Sequence, residues 1–336
     1  MHSICTIILA AGKGTRLKSE KPKVMHEILG MPLVYYPVSL ASGFGASTIC
    51  VVGHGREVVG HYLKDFPVVQ VIQDPPLGTG HAVLVAREAL ERTGADEVVI
   101  LPGDMPLIER SSLERLMEVY RASASPVCVL TARMPDPTGY GRIVRDWENR
   151  VIAIVEHNDA DTRQRAIDEI NTGVYVIDAS FLLKAVERLS PDNAKQEFYL
   201  TDIVRMAGYA SSYLLNDYRE AHGINSRLQL SEAAAIMQQR INRALMDEGV
   251  TIMDPASAWI SPLARIGRDV EIWPNVHIMG ECTIDARVTI MPNTWIRNSH
   301  IGPRSIIRSF SMIENATVSP DTDLPPNSWV DGSRQG

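Results

Sequence analysis

Arg16 and Lys23 stand just beyond a short apolar run, Ile4 to Ala10, and a glycine-bearing turn, Gly12-Lys13-Gly14. Fixed cations beside bare backbone N–H groups neutralise a polyphosphate and the charge that develops when it is cleaved. Gly12 and Gly14 let the chain turn sharply and approach phosphate oxygens where a side chain would collide. Spacing excludes two familiar phosphate loops: a Walker A loop needs glycine where Ile7 stands, and the dinucleotide fingerprint needs it where Leu17 stands. Glycines alone serve many strand-to-helix turns for geometry only. The accompanying cations are what point to a nucleoside triphosphate.

Other polar residues fall where strand-like runs end. Asp104, in Gly103-Asp104-Met105-Pro106, follows the run Glu97 to Leu101. A carboxylate there offers hard oxygen to Mg²⁺, or it caps a following helix; the residues alone leave both readings standing. Asp136 to Arg142 is a turn by composition, in which Gly141 permits close approach of a ligand. Glu156 and His157 end one run, and Glu169-Ile170-Asn171-Thr172-Gly173 opens another. Glu156 and Asn171 can bind sugar hydroxyls or an amide, or stand idle in solvent, and His157 reads as a structural hydrogen-bonder. Nine histidines show no HxxxH, HExxH or Cys/His pairing, and no GxSxG elbow is present, so zinc chemistry and a serine nucleophile find no support. Cys5, Cys50, Cys128 and Cys282 lack CxxC spacing and read as small buried hydrophobes.

The elements that must position these groups follow from periodicity. Strand-like runs at residues 4–10, 47–52, 68–72, 97–101, 127–131, 151–155 and 173–177 alternate with helical patterns, which predicts a mostly parallel sheet covered on both faces up to about residue 225. Such a sheet binds ligands outside its carboxyl ends, where the glycine turn sits. Leu113, Leu116, Met117 and Tyr120 mark one helix, with Ser111 or Ser112 available to cap it. From Arg227 to Glu248, Leu230, Ala233, Met237, Ile241, Ala244 and Leu245 form a stripe on a long helix that Gly249 ends; it reads as packing surface and as a connector between domains.

Beyond that helix the period becomes six: Ile260, Ile266, Ile272, Ile278, Ile284, Ile290 and Ile296, then a five-residue step to Ile301, then Ile307 and Ile313. Hexapeptide repeats predict a left-handed parallel β-helix, here of about three coils. So short a prism gains stability by packing against copies, and fold analogy makes a homotrimer the expected arrangement. Ser319 to Gly336 is expected to add a partial coil and a loose tail. The boundaries expected are 1–226 for the α/β domain, 227–249 for the connecting helix and 250–330 for the β-helix.

With 336 residues, 45% of them hydrophobic, the chain can build one large or two modest cores. A formal charge of -7 disfavours non-specific nucleic-acid binding. No run reaches transmembrane length and the N-terminus lacks a signal-peptide pattern, so the expected compartment is the cytoplasm, with no membrane partner.

The sequence closely resembles the bacterial bifunctional N-acetylglucosamine-1-phosphate uridyltransferase family over nearly all of residues 3 to 300. The resemblance is carried by Leu9 to Arg16, Lys21-Pro22-Lys23-Val24, Gln73 with Leu77-Gly78-Thr79-Gly80-His81-Ala82, Gly103-Asp104, Pro137 to Arg142, Val155-Glu156-His157, Glu169 to Gly173, Tyr199-Leu200-Thr201-Asp202 and Asn225-Ser226-Arg227-Leu228. It implies a Rossmann-like nucleotidyltransferase sheet followed by a short left-handed β-helix. It also implies a reaction of UTP with N-acetylglucosamine 1-phosphate that yields UDP-N-acetylglucosamine, a cell wall precursor, and pyrophosphate. The sugar phosphate is already an anionic nucleophile, so positioning and electrostatics suffice.

By resemblance, Leu9, Ala10, Ala11, Gly12 and Gly103 line the nucleotide site, while Gln73, Gly78 and Thr79 read the uracil. Gly141, Glu156 and Asn171 hold the sugar, Asp104 and Asn225 ligate Mg²⁺, and Arg16 with Lys23 act catalytically on the phosphates. Family members place acetyl transfer in distal coils of a longer prism, so that activity is not expected here. Pro102 and Asn158 depart from the pattern near ligand positions. Alternative readings are a different sugar 1-phosphate or nucleotide such as dTTP, a non-catalytic sugar-nucleotide sensor or scaffold, and a hexapeptide acyltransferase, which the short prism disfavours.

Overall fold

The computed structural model describes residues 3–44 and 47–334. The chain divides into two compact units, Met1–His26 with Pro32–Gln229, and Glu27–Met31 with Leu230–Gly336.

The first unit is built on nine strands: β1 (Ile4–Ala10), β2 (Ser47–Val52), β3 (Val68–Ile72), β4 (Glu97–Pro102), β5 (Val127–Arg133), β6 (Arg142–Arg145), β7 (Val151–Val155), β8 (Glu169–Asp178) and β9 (Ser211–Leu214). Their order is β9-β5-β8-β4-β1-β2-β3, with β6 pairing both β8 and β7. Alternate residues of the central strands enter opposite cores. Cys5, Ile7, Ile49, Val51, Val98 and Ile100 face one side, and Ile8, Ala10, Cys50, Val52, Val99 and Leu101 the other. Burial on both faces explains why these strands read as continuous apolar runs.

The strand expected at 173–177 differs from its neighbours. It starts earlier, at Glu169, and β8 runs antiparallel to both β4 and β5. Reversal carries its opening residues, Asn171 among them, to the edge where β1 and β4 end. The segment before Val151, read only as a turn up to Arg142, contains β6, which forms an antiparallel hairpin with β7. Neither Ser111 nor Ser112 caps the helix Arg110–Arg121: Glu109 occupies the N-cap position, and the Ser112 hydroxyl donates instead to Glu220 Oε1 at 3.0 Å.

The long helix spans Arg227–Asp247, and Gly249 follows it at φ 98°. Its most buried side chains include two amides, Gln238 and Asn242, rather than the Met and Leu stripe. Gln238 Nε2 donates to the carbonyls of Pro255, Ala256 and Ala258, and Asn242 Nδ2 donates to those of Pro255 and Ala258 at 2.9 Å. These carbonyls open the prism and have no preceding coil to bond. Ile241 and Leu245 pack beside them on the prism core.

The repeat folds into three parallel sheets of five, five and four short strands, a parallel β-helix. All the counted isoleucines except Ile266 are buried. The prism runs to between four and five coils rather than three, because Val318, Leu324 and Val330 extend the inward column after a second five-residue step. Corners recur in the left-handed region at Asp269, Arg287, Arg304 and Asp321, and at Asn275, Asn293, Phe310 and Asn327. The strand Trp329–Asp331 supplies the expected partial coil; of the expected tail, residues 335 and 336 lie outside the described residues.

Candidate active site

The turns after β1 and β4, the opening of β8 and the end of β7 border one cavity of about 560 Å³. Leu9, Ala11, Gly12, Lys23, Gln73, Gly78 and Thr79 line it, together with Asp104, Glu156 and Asn171. Ala10 faces the core beneath, and Gly103 is buried with its N–H donated to Leu9 O at 2.8 Å. Gly141 and Asn225 stand one contact behind the lining. Arg16 is exposed on the short turn Thr15–Leu17.

Gly14 organises the turn after β1. It sits at φ 63°, and a Cβ there would lie 2.5 Å from Lys23 Cβ, so the glycine makes room for the lysine stem. Gly12 differs, since a Cβ added to it meets nothing within 4 Å. Lys23 Nζ forms an ion pair with Asp104 Oδ2 and donates to Asn225 Oδ1 at 2.6 Å. Backbone bonds fix both partners: Ile224 N–H donates to Asp104 O at 2.9 Å, and Gln229 Oε1 accepts from Asn225 N–H at 2.8 Å. The helix after Asp104 begins only at Arg110, so the capping reading is set aside. Two hard oxygens converge on one cation, a donor set that suits a small divalent ion. Among the described residues no cluster of three or more His, Cys, Asp or Glu could hold a metal, so such an ion would complete its shell with ligand or water oxygens.

Gln73, which also lines the cavity, is 4% exposed and held by Nε2 bonds to Gly78 O at 2.9 Å and His81 Nδ1 at 3.1 Å. Its Oε1 is left to accept. Gly78 has φ 107°, and a Cβ on it would come within 2.6 Å of Phe198 O. Phe198 N–H donates to Leu77 O, Gly80 N–H to Phe198 O, and Leu200 N–H to Thr79 Oγ1. This short ladder joins the loop at Gly78 to the segment of Glu197 and Thr201, which also line the cavity.

Gly141, Glu156 and Asn171 form one transverse row. Arg142 pairs with Val155 on one side and Ile170 on the other, so the next residue along each antiparallel strand falls in line. Asn171 N–H donates to Gly141 O at 2.9 Å, and a Cβ on Gly141 would lie 3.5 Å from Glu156 Oε1 and 3.6 Å from Asn171 Cβ. Asn171 Nδ2 donates to Tyr175 OH at 2.8 Å. Burial raises the pKa of Glu156 above the ordinary carboxyl value, a shift that the charge of Lys195 opposes. Tyr175, Glu197 and Thr201 escaped the sequence reading as lining residues. The motif Tyr199-Leu200-Thr201-Asp202 was the available signal, since it had no other role.

A lysine held between a carboxylate and an amide oxygen, and a polar row, border one cavity at the carboxyl edge of a Rossmann-like sheet, the arrangement of a nucleotidyltransferase. Residues 6–177 match the family model of the MobA-like NTP transferase domain, and residues 264–298 match the bacterial transferase hexapeptide model of six repeats. The chain is 43% identical to the bifunctional protein GlmU of Syntrophotalea carbinolica over 90% of this chain and 68% of the relative. It is 40% identical to that of Heliobacterium modesticaldum, over 98% and 72%, and 40% identical to that of Cutibacterium acnes, over 97% and 82%. The chain belongs to the family of the bifunctional proteins GlmU. Among the described residues no helix is long and apolar enough to cross a membrane.

Proposed function

We propose that the protein joins UTP to N-acetylglucosamine 1-phosphate, with Mg²⁺, to give UDP-N-acetylglucosamine and pyrophosphate. The observation that carries this reading is one cavity lined together by Lys23, Asp104, Glu156 and Asn171, with Asn225 bonded to Lys23 and Gly141 beside Glu156 and Asn171. A sugar-phosphate oxygen attacks the α-phosphorus, the new P–O bond forms, and the bond to the β-phosphate oxygen breaks with its electrons leaving on pyrophosphate. No proton needs to be removed from that nucleophile, so alignment and charge carry the rate.

In this reading Gly12 presents backbone to the triphosphate, and Lys23 and Arg16 stabilise its charge. Gln73 Oε1 accepts from a ring N–H, which uracil supplies, and Gly78 and Thr79 border the base. Glu156 and Asn171 fix the sugar hydroxyls and amide, with Gly141 leaving them room. Magnesium held by Asp104 and Asn225 would neutralise phosphate charge when bound. The outward column Trp259, His277, Trp295, Met312 and Trp329 lies in register down one prism face, and we assign it to contact between copies in a homotrimer acting in the cytoplasm.

Pyrophosphate release measured over a panel of nucleoside triphosphates and sugar 1-phosphates, with and without Mg²⁺, tests the substrate reading. Preference for UTP with N-acetylglucosamine 1-phosphate supports it; preference for another pair replaces the substrates, and no turnover with any pair favours a sensor. The expected lack of acetyl transfer is put to a separate assay with glucosamine 1-phosphate and acetyl-CoA. The prism matches a transferase repeat, and release of CoA would overturn that expectation.

A further inference from the structure

Among the described residues Arg142 is one of the largest side chains that are fully buried, at 1% exposure. A guanidinium stays ionised at any ordinary pH, and burying it without a counter-charge is costly. No carboxylate among the described residues forms an ion pair with Arg142, and its Nε has no hydrogen-bond partner. Its remaining nitrogens are committed in two directions. Nη1 donates to the carbonyl of Tyr140, and Nη2 lies 3.4 Å from His157 Nδ1. Because a guanidinium only donates, His157 Nδ1 accepts and its ring proton sits on Nε2.

Tyr140 immediately precedes Gly141, and His157 immediately follows Glu156. One rigid, planar fork therefore grips both turns whose residues stand in the transverse row. The backbone ladder sets the register of β6 and β7, yet both gripped groups lie beyond the last ladder pair, Arg142 with Val155. There the guanidinium is the bridge.

We infer that Arg142 is a positioning residue for the sugar phosphate, holding the turn of Gly141 and the turn of Glu156 at the separation that substrate requires. The inference rests on the reading that Gly141, Glu156 and Asn171 hold the sugar. Arg142 does not line the cavity, and its two acceptors belong to the residues flanking Gly141 and Glu156, so its loss is expected to fall on the sugar phosphate rather than on UTP. Lysine cannot replace it, since a single ammonium lacks the fork that reaches both acceptors.

Initial rates of the full chain, with UTP and N-acetylglucosamine 1-phosphate varied independently, test this in Arg142→Lys, Arg142→Met and His157→Ala. Both Arg142 variants are expected to raise KM for the sugar phosphate about tenfold with KM for UTP nearly unchanged, as the loss of one substrate's positioning predicts. His157→Ala removes one acceptor and leaves the cation in place, so it shifts the same KM in the same direction by about threefold. Circular dichroism establishes which variants fold, and His157→Ala carries the test should the Arg142 variants fail to. An unchanged sugar KM in the folded variants, or equal changes in both KM values, overturns the inference. Glu156→Gln measured alongside separates the two levels. If it raises the sugar KM and the clasp variants do not, only the role of Arg142 is lost. If it too leaves that KM unchanged, the placement of the sugar falls and the inference with it.

Discussion

Two glycines in one turn do different work. Gly14 is enclosed by the Lys23 stem and adopts a conformation that other residues take at a cost, whereas Gly12 faces open space. Gly14→Ala should therefore displace Lys23 and lower the melting temperature, while Gly12→Ala should leave melting unchanged and raise KM for UTP. Thermal melts and nucleotide KM values of the two variants decide this; equal melting losses would refute it. Arg16, exposed and without an ion pair or hydrogen bond to a described residue, contributes little to folding, yet Arg16→Ala should lower kcat by about a hundredfold. Near-normal turnover would remove it from the mechanism.

Glu156 carries a pH signature. Burial raises its folded pKa above the ordinary value of 4.5, so the native state holds this proton more tightly than the unfolded chain does. Its contribution to stability is then greatest below the ordinary value and is lost as pH rises through the raised folded value. At neutral pH the buried charge remains a cost that the site bears for its function. Glu156→Gln should melt higher than the parent near pH 7, and the gap should close on acidification. A gap that widens as pH falls would contradict the burial argument. Glu169 shows the opposite balance: burial pushes its pKa up, but hydrogen bonds from Arg145 and Thr131 together with the charges of Arg145 and Arg133 outweigh that and hold it low.

The helix Arg227–Asp247 shows how an element's sequence pattern can understate its contacts. Its stripe of Met and Leu is amphipathic, but beside Ala233 the buried side chains are Gln238 and Asn242, which satisfy carbonyls that no coil precedes. Asn242→Leu removes one of the two amide donors to the carbonyls of Pro255 and Ala258, leaving each with Gln238 Nε2, at a cost of about 1 kcal/mol. Denaturant unfolding measures it, and a neutral result would show that water fills the place. Among the strands, β1, β2 and β4 were legible because burial on both faces writes a continuous apolar run. β6 was not, since Arg142 and Arg145 give its four residues a polar appearance.

Across the molecule, the prism buries its inward column and leaves an apolar line outside, with Met312 41% and Trp329 59% exposed. Exposed aromatic and aliphatic surface of this kind, interrupted only by the imidazole of His277 in that line, favours association of a repeat that is narrow by construction. Met312→Glu, placing a charge in that line, should convert a trimer into smaller species in sedimentation velocity. A parent protein that sediments as a monomer at every concentration would remove the trimer from the proposal. Many acid–base pairs join arginine to carboxylates on exposed surface, Arg92 with Glu88, Arg115 with Glu118 and Arg304 with Asp321 among them, and exposed pairs of this kind contribute little to stability.

What the residues determined unaided was periodic or contiguous: the sixfold column from Ile260, the two-faced strands, and a glycine turn flanked by cations. Each of these depends on neighbours close in the chain, so burial imprints it locally. What only the tertiary structure decided was which distant groups meet. Lys23 joins Asp104 and Asn225, the reversal of β8 brings Asn171 beside Gly141, and Arg142 ends up buried between two turns. Such pairings depend on strand order and direction, which no local pattern encodes, and a buried cation in a polar stretch looks like any solvated arginine until its neighbours close around it.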